Sequence, residues 1–118
     1  MAQDLLPGDF LVYQLESGFG LLRVLAVEEA ANDTVWHLAA YSELFLDVEM
    51  ADAAVVAENL SVSHPHLALT NRAFESTQVA QLRNIPLNET DIQDYEIWKT
   101  DDERKVSDRS IRLLLGLR

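Results

Sequence analysis

The sequence contains no cysteine among its 118 residues. The chain can therefore form neither a disulfide framework nor a thiolate zinc site, and nothing in it points to an oxidising compartment. Hydrophobic residues make up 48% of the chain, which is enough to build one core of the size that ordinary domains bury. We therefore expect residues 1–118 to form a single domain.

Long apolar runs are also missing. No segment approaches the roughly 20 apolar residues that a membrane-spanning helix requires. The N-terminus, MAQDLLPGD, has an acid where a signal peptide carries basic residues, and its apolar run ends after two leucines. These absences predict a cytoplasmic protein that does not bind a membrane.

Basic residues are scarce: nine Lys and Arg stand against twenty Asp and Glu, which gives a net charge of -11. Residues 99–118 hold six of the basic residues and four acids, so they carry +2 and residues 1–98 carry -13. A body this acidic repels nucleic acid and attracts a basic protein partner. Solubility also explains an acidic surface, so both interpretations stay open.

Signatures of catalysis and of cofactor binding are absent from the sequence. It has no G-x-S-x-G nucleophile motif and no calcium-binding loop with its alternate oxygen ligands. The glycines Gly18 and Gly20 lie between two predicted strands rather than before a helix, so they do not form a phosphate-binding loop. We predict no catalytic residue, no metal and no cofactor.

The three histidines are the remaining candidates for metal binding or for acid–base catalysis. His64 and His66 would share one face of a strand, where two imidazoles and a carboxylate could bind a metal. Pro65 disturbs such a strand and no third ligand is recognisable, so we favour an incidental turn. His37 lies in a predicted strand, and a small enzyme using His37 with a carboxylate is kept as an alternative.

The clearest local pattern is a β-hairpin near the N-terminus. Alternating apolar residues predict strands over 9–16 and 20–28, joined by a turn at 16–20 whose glycines can adopt positive φ. A third strand is predicted over 34–41. Three sequential strands with short connections form a meander, and a strongly bent meander is how SH3-like barrels begin.

Helix and strand signals alternate in the middle of the chain. Residues 52–60 begin with an acid and are rich in alanine, which favours a short helix, although Val55 and Val56 suit a strand equally well. Residues 61–70 contain Pro65 and are expected at a sheet edge. Residues 77–85 are expected to add another strand.

The C-terminal part of the chain predicts two helices. The first spans 89–98, capped by Asn88 or Thr90, and Trp98 is expected to pack it onto the sheet. Residues 99–118 then form a charged connector and a short helix, for which Ser107 and Asp108 are the expected cap. The predicted fold is α+β, with a bent antiparallel, SH3-like sheet and one or two covering helices.

Four residues are candidates for contact with a partner. Phe19, flanked by glycines at the predicted hairpin tip, is hard to bury unless another segment folds over it, and exposed aromatics are frequent binding anchors. Glu28, Glu29 and Asp33 are expected to be exposed together at the second turn, where they would attract a basic partner.

The segment PGDFLVYQLESGFGLLRVL resembles the opening of a predicted immunity-protein family encoded beside bacterial polymorphic toxins. Members begin with Gly-Asp and an apolar strand, followed by a glycine turn and an Arg-Val strand; Phe74 and residues 87–98 are similar in order to later features of that group. The resemblance implies a non-catalytic bacterial protein that neutralises a toxin domain by binding it. A structural or regulatory subunit that forms a homo-oligomer is the other alternative.

Overall fold

The computed structural model describes residues 4–30 and 32–116. In chain order the elements are β1 Asp9–Leu15, β2 Gly18–Ala30, β3 Asp33–Tyr41, α1 Val48–Val56, β4 Val62–Thr70, α2 Asn71–Glu75, β5 Val79–Asn84, α3 Gln93–Thr100 and α4 Ile111–Leu115. The strands form one antiparallel sheet in the order β4-β3-β2-β1-β5. The α+β class is therefore confirmed, whereas closure into an SH3-like barrel stays a prediction.

The first hairpin has a shorter turn than predicted. Leu15 pairs with Gly18, so only Glu16 and Ser17 join the two strands, and β2 begins at residue 18 rather than 20. Gly18 has φ +149°, and a Cβ on it would lie 2.5 Å from the Phe45 carbonyl oxygen. A glycine is required there because another segment packs against this strand. The sequence pattern places the same glycine in the turn at 16–20.

Both faces of the sheet are buried, which explains the nearly continuous apolar runs of β1 and β2. One face packs against Phe74 of α2 and Ile111 of α4, and its own buried residues include Leu11, Tyr13, Leu22, Val24, Trp36, Leu38 and Leu69. The opposite face packs against Ala51 and Val55 of α1 through Phe10, Val12 and Leu21. Short helices thus cover a central sheet on both sides.

The helix caps differ from the predicted ones. The helix predicted at 52–60 begins at Val48, because the Asp47 carboxylate accepts a hydrogen bond of 2.8 Å from the Met50 amide. The last helix is capped by Ser110, whose hydroxyl accepts from the Leu113 amide, and not by Ser107 or Asp108. The five-residue helix α2 was not predicted.

The Gly-Asp pair at the start of β1 anchors the end of β5. Asp9 is fully buried; its Oδ2 accepts from the Leu6 amide at 2.8 Å and its Oδ1 accepts from Asn84 Nδ2 at 2.7 Å. Gly8 donates its amide to the Val24 carbonyl and accepts from the Ile85 amide. In this chain the pair therefore has a structural role.

The two later strands, predicted over 61–70 and 77–85, are both present. β4 lies at one end of the sheet, as its proline indicated, and its outer side meets Ser107, which accepts from the Thr70 amide at 3.0 Å and donates to the Ala68 carbonyl at 2.8 Å. β5 lies at the other end, beside β1. None of the described helices has the length and apolar composition needed to cross a membrane.

Replacing Val24 with Asp tests the packing of β2. Val24 has no exposed surface, so an aspartate there would bury a carboxylate without a partner and cost several kcal/mol, comparable to the whole stability of a small domain. We expect an unfolded or insoluble Val24→Asp protein. Val62→Asp, at a position that is 54% exposed, is the control and should unfold within about 1 kcal/mol of the wild type in urea titrations. Near-native stability of Val24→Asp would contradict the packing described.

Candidate functional site

The three acids predicted to lie together at the second turn are separated, because Glu28 lies apart from Glu29 and Asp33. Glu29 and Asp33 are exposed and flank the turn, where Thr34 donates its hydroxyl to Glu29 at 3.3 Å and its amide to Asp33 at 2.8 Å. Glu28 instead lies beside the buried ring of His37, with its Oε1 3.2 Å from Nε2. The three acids therefore lie in two environments, and Glu28 has a structural contact that the other two lack.

His37 and His66 form a hydrogen-bonded pair between neighbouring strands. His37 is fully buried, and its Nδ1 lies 2.9 Å from His66 Nε2. An ionised Glu28 can only accept, so His37 carries its proton on Nε2 and its Nδ1 accepts from His66. The chain of donors then runs from His66 through His37 to Glu28.

Helix α3 covers this pair with two aromatic rings. The centroids of Tyr95 and Trp98 lie 4.5 Å and 4.6 Å from that of His37, and Trp98 Nε1 donates to the Lys105 carbonyl at 2.9 Å. Trp98 thus packs the helix onto the sheet as predicted. No residue of α3 is itself fully buried, so the helix depends heavily on the histidine pair for its contact with the sheet.

The start of α3 was predicted four residues too early. Asn88 and Asp91 exchange hydrogen bonds between side chain and amide, at 2.9 Å and 2.8 Å, and this closes a turn before the helix. The helix begins at Gln93, after Ile92, which supplies no side-chain cap. The Asn88 and Thr90 caps are therefore wrong, because the polar side chain of Asn88 is used by the preceding turn.

Burial favours the neutral form of both histidines. It lowers the pKa of His37, against an opposing contribution from Glu28, while Lys99 lowers this pKa further. Burial, together with the neighbouring His37, lowers the pKa of His66 to about 4, and Asp94 opposes this shift. The contacts of the pair in the described residues include the hydrogen bonds between the two imidazoles and to Glu28, and the packing of both rings against Tyr95 and Trp98 of α3.

The metal site considered for His64 and His66 does not form in the described part of the chain. His64 Nδ1 lies 3.0 Å from Ser63 Oγ, and the pairing between β3 and β4 shifts register between His64 and Leu67, the stretch that contains Pro65, and again between Val62 and His64. His66 instead contacts His37. Across residues 4–30 and 32–116 no three His, Asp or Glu side chains are arranged to hold a metal ion.

Arg23, the one charge within the apolar part of β2, is 7% exposed and organises the link between β5 and α3. Its Nη2 donates to the Ile85 carbonyl at 2.7 Å, its Nη1 lies 3.1 Å from Asp91 Oδ2, and its guanidinium lies over the Phe10 ring. The positive charge is buried with a carboxylate and a carbonyl partner, an arrangement that the local sequence does not reveal.

Phe19 lies beside residues 44–46, an apolar segment with exposed leucines that was not among the predicted site residues. Its amide donates to the Phe45 carbonyl at 2.7 Å and its carbonyl accepts from the Phe45 amide at 2.9 Å. Phe19 is therefore half-buried within β2 rather than at a hairpin tip. Around Phe45, Leu44 and Leu46 are 45% and 78% exposed. The available signal was the run SELFLDVEM, in which a possible turn precedes apolar residues that would suit a strand.

Comparison with known proteins found no matching protein-family model, no similar curated protein and no similar solved structure.

The stability of the protein should fall on mild acidification. In the unfolded chain a histidine takes up a proton below about pH 6.5, whereas His66 in the fold resists protonation until about pH 4, so the contribution of His66 to stability is fully present above pH 7 and is lost as the pH falls between these values. Allowing for partial exposure of His66, we expect a loss of about 2 kcal/mol by pH 4.5, measured by urea unfolding.

The matched variants are His66→Gln and His64→Gln. Carboxylates titrate in both, so the difference in acid sensitivity between them isolates the buried histidine. His66→Gln should be less sensitive to acid than the wild type, and His64→Gln should behave as the wild type does. Equal acid sensitivity of all three proteins would contradict a buried, neutral His66.

Proposed function

We propose that this protein is a non-catalytic binding module for a basic protein partner. The observation that carries the proposal is the combination of -13 charge on residues 1–98 with exposed apolar side chains at Leu44, Leu46 and Met50. Exposed apolar groups gain by burial in an interface, and the surrounding acids select a partner of opposite charge. Solubility would account for the acids but not for the exposed leucines.

The resemblance of the N-terminal segment supports a more specific form of the proposal, in which the protein is a bacterial, cytoplasmic immunity protein and the partner is a toxin domain. Such a protein acts by occupying its partner and needs no catalytic group of its own. The SH3-like barrel belongs to the same proposal; the strand order β4-β3-β2-β1-β5 supports it, since it places the last strand beside the first.

Two other functions have an observation in their favour. A small enzyme using His37 is favoured by the Glu28 carboxylate 3.2 Å from Nε2, a contact that orients an imidazole. A homo-oligomeric subunit is favoured by the exposed leucines, which a second copy could cover. Light scattering separates the subunit from the monomeric alternatives, and an enzyme would lose turnover in His37→Gln while still folding.

The test of the proposed function is the rate of association with the basic protein that is captured from the native host and identified by mass spectrometry. An acidic recognition surface predicts fast association at 0.1 M salt and clearly slower association at 1 M, since the Debye length falls from about 10 Å to about 3 Å. Surface plasmon resonance measures this directly. A rate that does not change across this range would leave the acids with no role beyond solubility.

Neutralising Glu29 and Asp33 tests whether the second turn takes part. Both are exposed, so Glu29→Gln with Asp33→Asn should slow association severalfold at low salt with a stability change below about 1 kcal/mol. Adding Glu28→Gln should also alter stability, because Glu28 is the partner of buried His37. Wild-type association of the double variant would exclude this turn from the recognition surface.

A further inference from the structure

We propose that a basic amphipathic segment of the partner protein docks on the surface around Phe19, which supplies the apolar contacts of recognition. This inference rests on the proposed function. By the Phe19 surface we mean half-buried Phe19, exposed Val48, which lines the same groove, and the exposed chain neighbours Leu44, Leu46 and Met50.

Backbone pairing brings these residues together. The two hydrogen bonds between Phe19 and Phe45 place residues 44–46 alongside the start of β2, and Phe19 and Val48 line the same shallow groove. Val79 and Ala80 of β5 continue the lining, so the groove runs from the N-terminus of α1 to the end strand of the sheet. Three elements distant in sequence, β2, α1 and β5, thus line this groove.

Phe19 packs partly against the core, whereas the other four apolar side chains of this surface are exposed. Leu46 precedes the cap of α1, where an apolar residue commonly packs against the fourth residue of the helix. That fourth residue, Ala51, is fully buried elsewhere, while Leu46 remains 78% exposed and Met50 48% exposed. Four exposed large apolar residues within a seven-residue stretch mark a site of interaction.

The acids next to these residues determine the kind of occupant. Glu16, Asp47 and Glu49 are exposed and lie within one to three residues of the surface along the chain. Arg112 also lines the groove, where its Nη2 donates to the Gln14 carbonyl at 2.6 Å; it keeps its positive charge, which the three acids outnumber. A partner segment with one apolar face and flanking Lys or Arg would match both features of the surface.

A second copy of the chain fits this surface poorly. A two-fold interface brings the same patch of both copies together, so it would oppose Glu16, Asp47 and Glu49 to their own counterparts. Each copy also carries a net charge of -11. Charge complementarity therefore favours a basic partner over self-association.

The experiment uses two synthetic 14-residue peptides of Leu and Lys with the same composition. One places its leucines on a single helical face, and the other scatters them. We expect the purified full chain to bind the amphipathic peptide about tenfold more tightly than the scattered one, measured by fluorescence anisotropy. Equal affinity for the two peptides, or no binding of the amphipathic one, would overturn the proposal.

Matched variants locate the site. Leu46→Ser combined with Met50→Ser should weaken binding of the amphipathic peptide about tenfold, because it removes two apolar anchors. Ile97→Ser, at a position on α3 that is 60% exposed, is the control and should bind as the wild type does. An equal loss in the control would show general attraction to an acidic protein and overturn the proposal.

Two further outcomes separate this inference from the proposed function. If the captured partner binds the Leu46→Ser/Met50→Ser variant as tightly as the wild type, the Phe19 surface is wrong while the binding function stands. If sedimentation shows a dimer that this variant abolishes, the surface serves self-association and the inference is wrong. Asp47 is left unchanged in every variant because it caps α1.

Discussion

The burial of one sheet on both faces is the constraint on which the rest of the structure depends. β1 and β2 are apolar along nearly their whole inner lengths, so neither face can be left to water. The helices are short, and none is long enough to be stable alone. They are stabilised by packing on the sheet: α2 and α4 pack on one face, and α1 and α3 pack on different parts of the other face.

The buried polar side chains of this sheet lie where helices and connecting segments contact the strands. Asp9 ties the lead-in residues to the end of β5, Arg23 ties the segment before α3 to β2, and His37 supports α3 itself. Each has a partner from a remote part of the chain, which offsets the cost of its burial. The same contacts fix where each connection crosses the sheet, so these groups specify the path of the chain as well as its stability.

The sequence was sufficient for the features that depend on local pattern. Alternation of apolar residues predicted the first three strands, and the spacing of Tyr95 and Trp98 predicted a helix packed on the sheet. It was insufficient for features that depend on pairing between distant strands. His37 and His66 are 29 residues apart, and they meet because β3 pairs with β4 so that His37 lies opposite Ala68 and Leu38 opposite Leu67. Glu28 and Glu29 point to opposite faces because side chains alternate along a strand, but the contact of Glu28 with His37 depends on the pairing of β2 with β3. The contact of Phe45 with Phe19 likewise joins segments that no local pattern links.

The pairing of Ser107 with β4 has a consequence for the behaviour of the protein at high concentration. A sheet that ends in free backbone groups offers a template on which other chains can pair, and this is a common route to aggregation. Ser107 occupies the amide of Thr70 and the carbonyl of Ala68, so a foreign strand meets a blocked end at this point of β4. At the opposite end, β5 is short and exposes Gln81, Arg83 and Asn84, with Arg83 held by Asp52. Charge and brevity protect one end of the sheet and a single covering residue protects the other, which gives an otherwise open sheet a defence against growth in either direction.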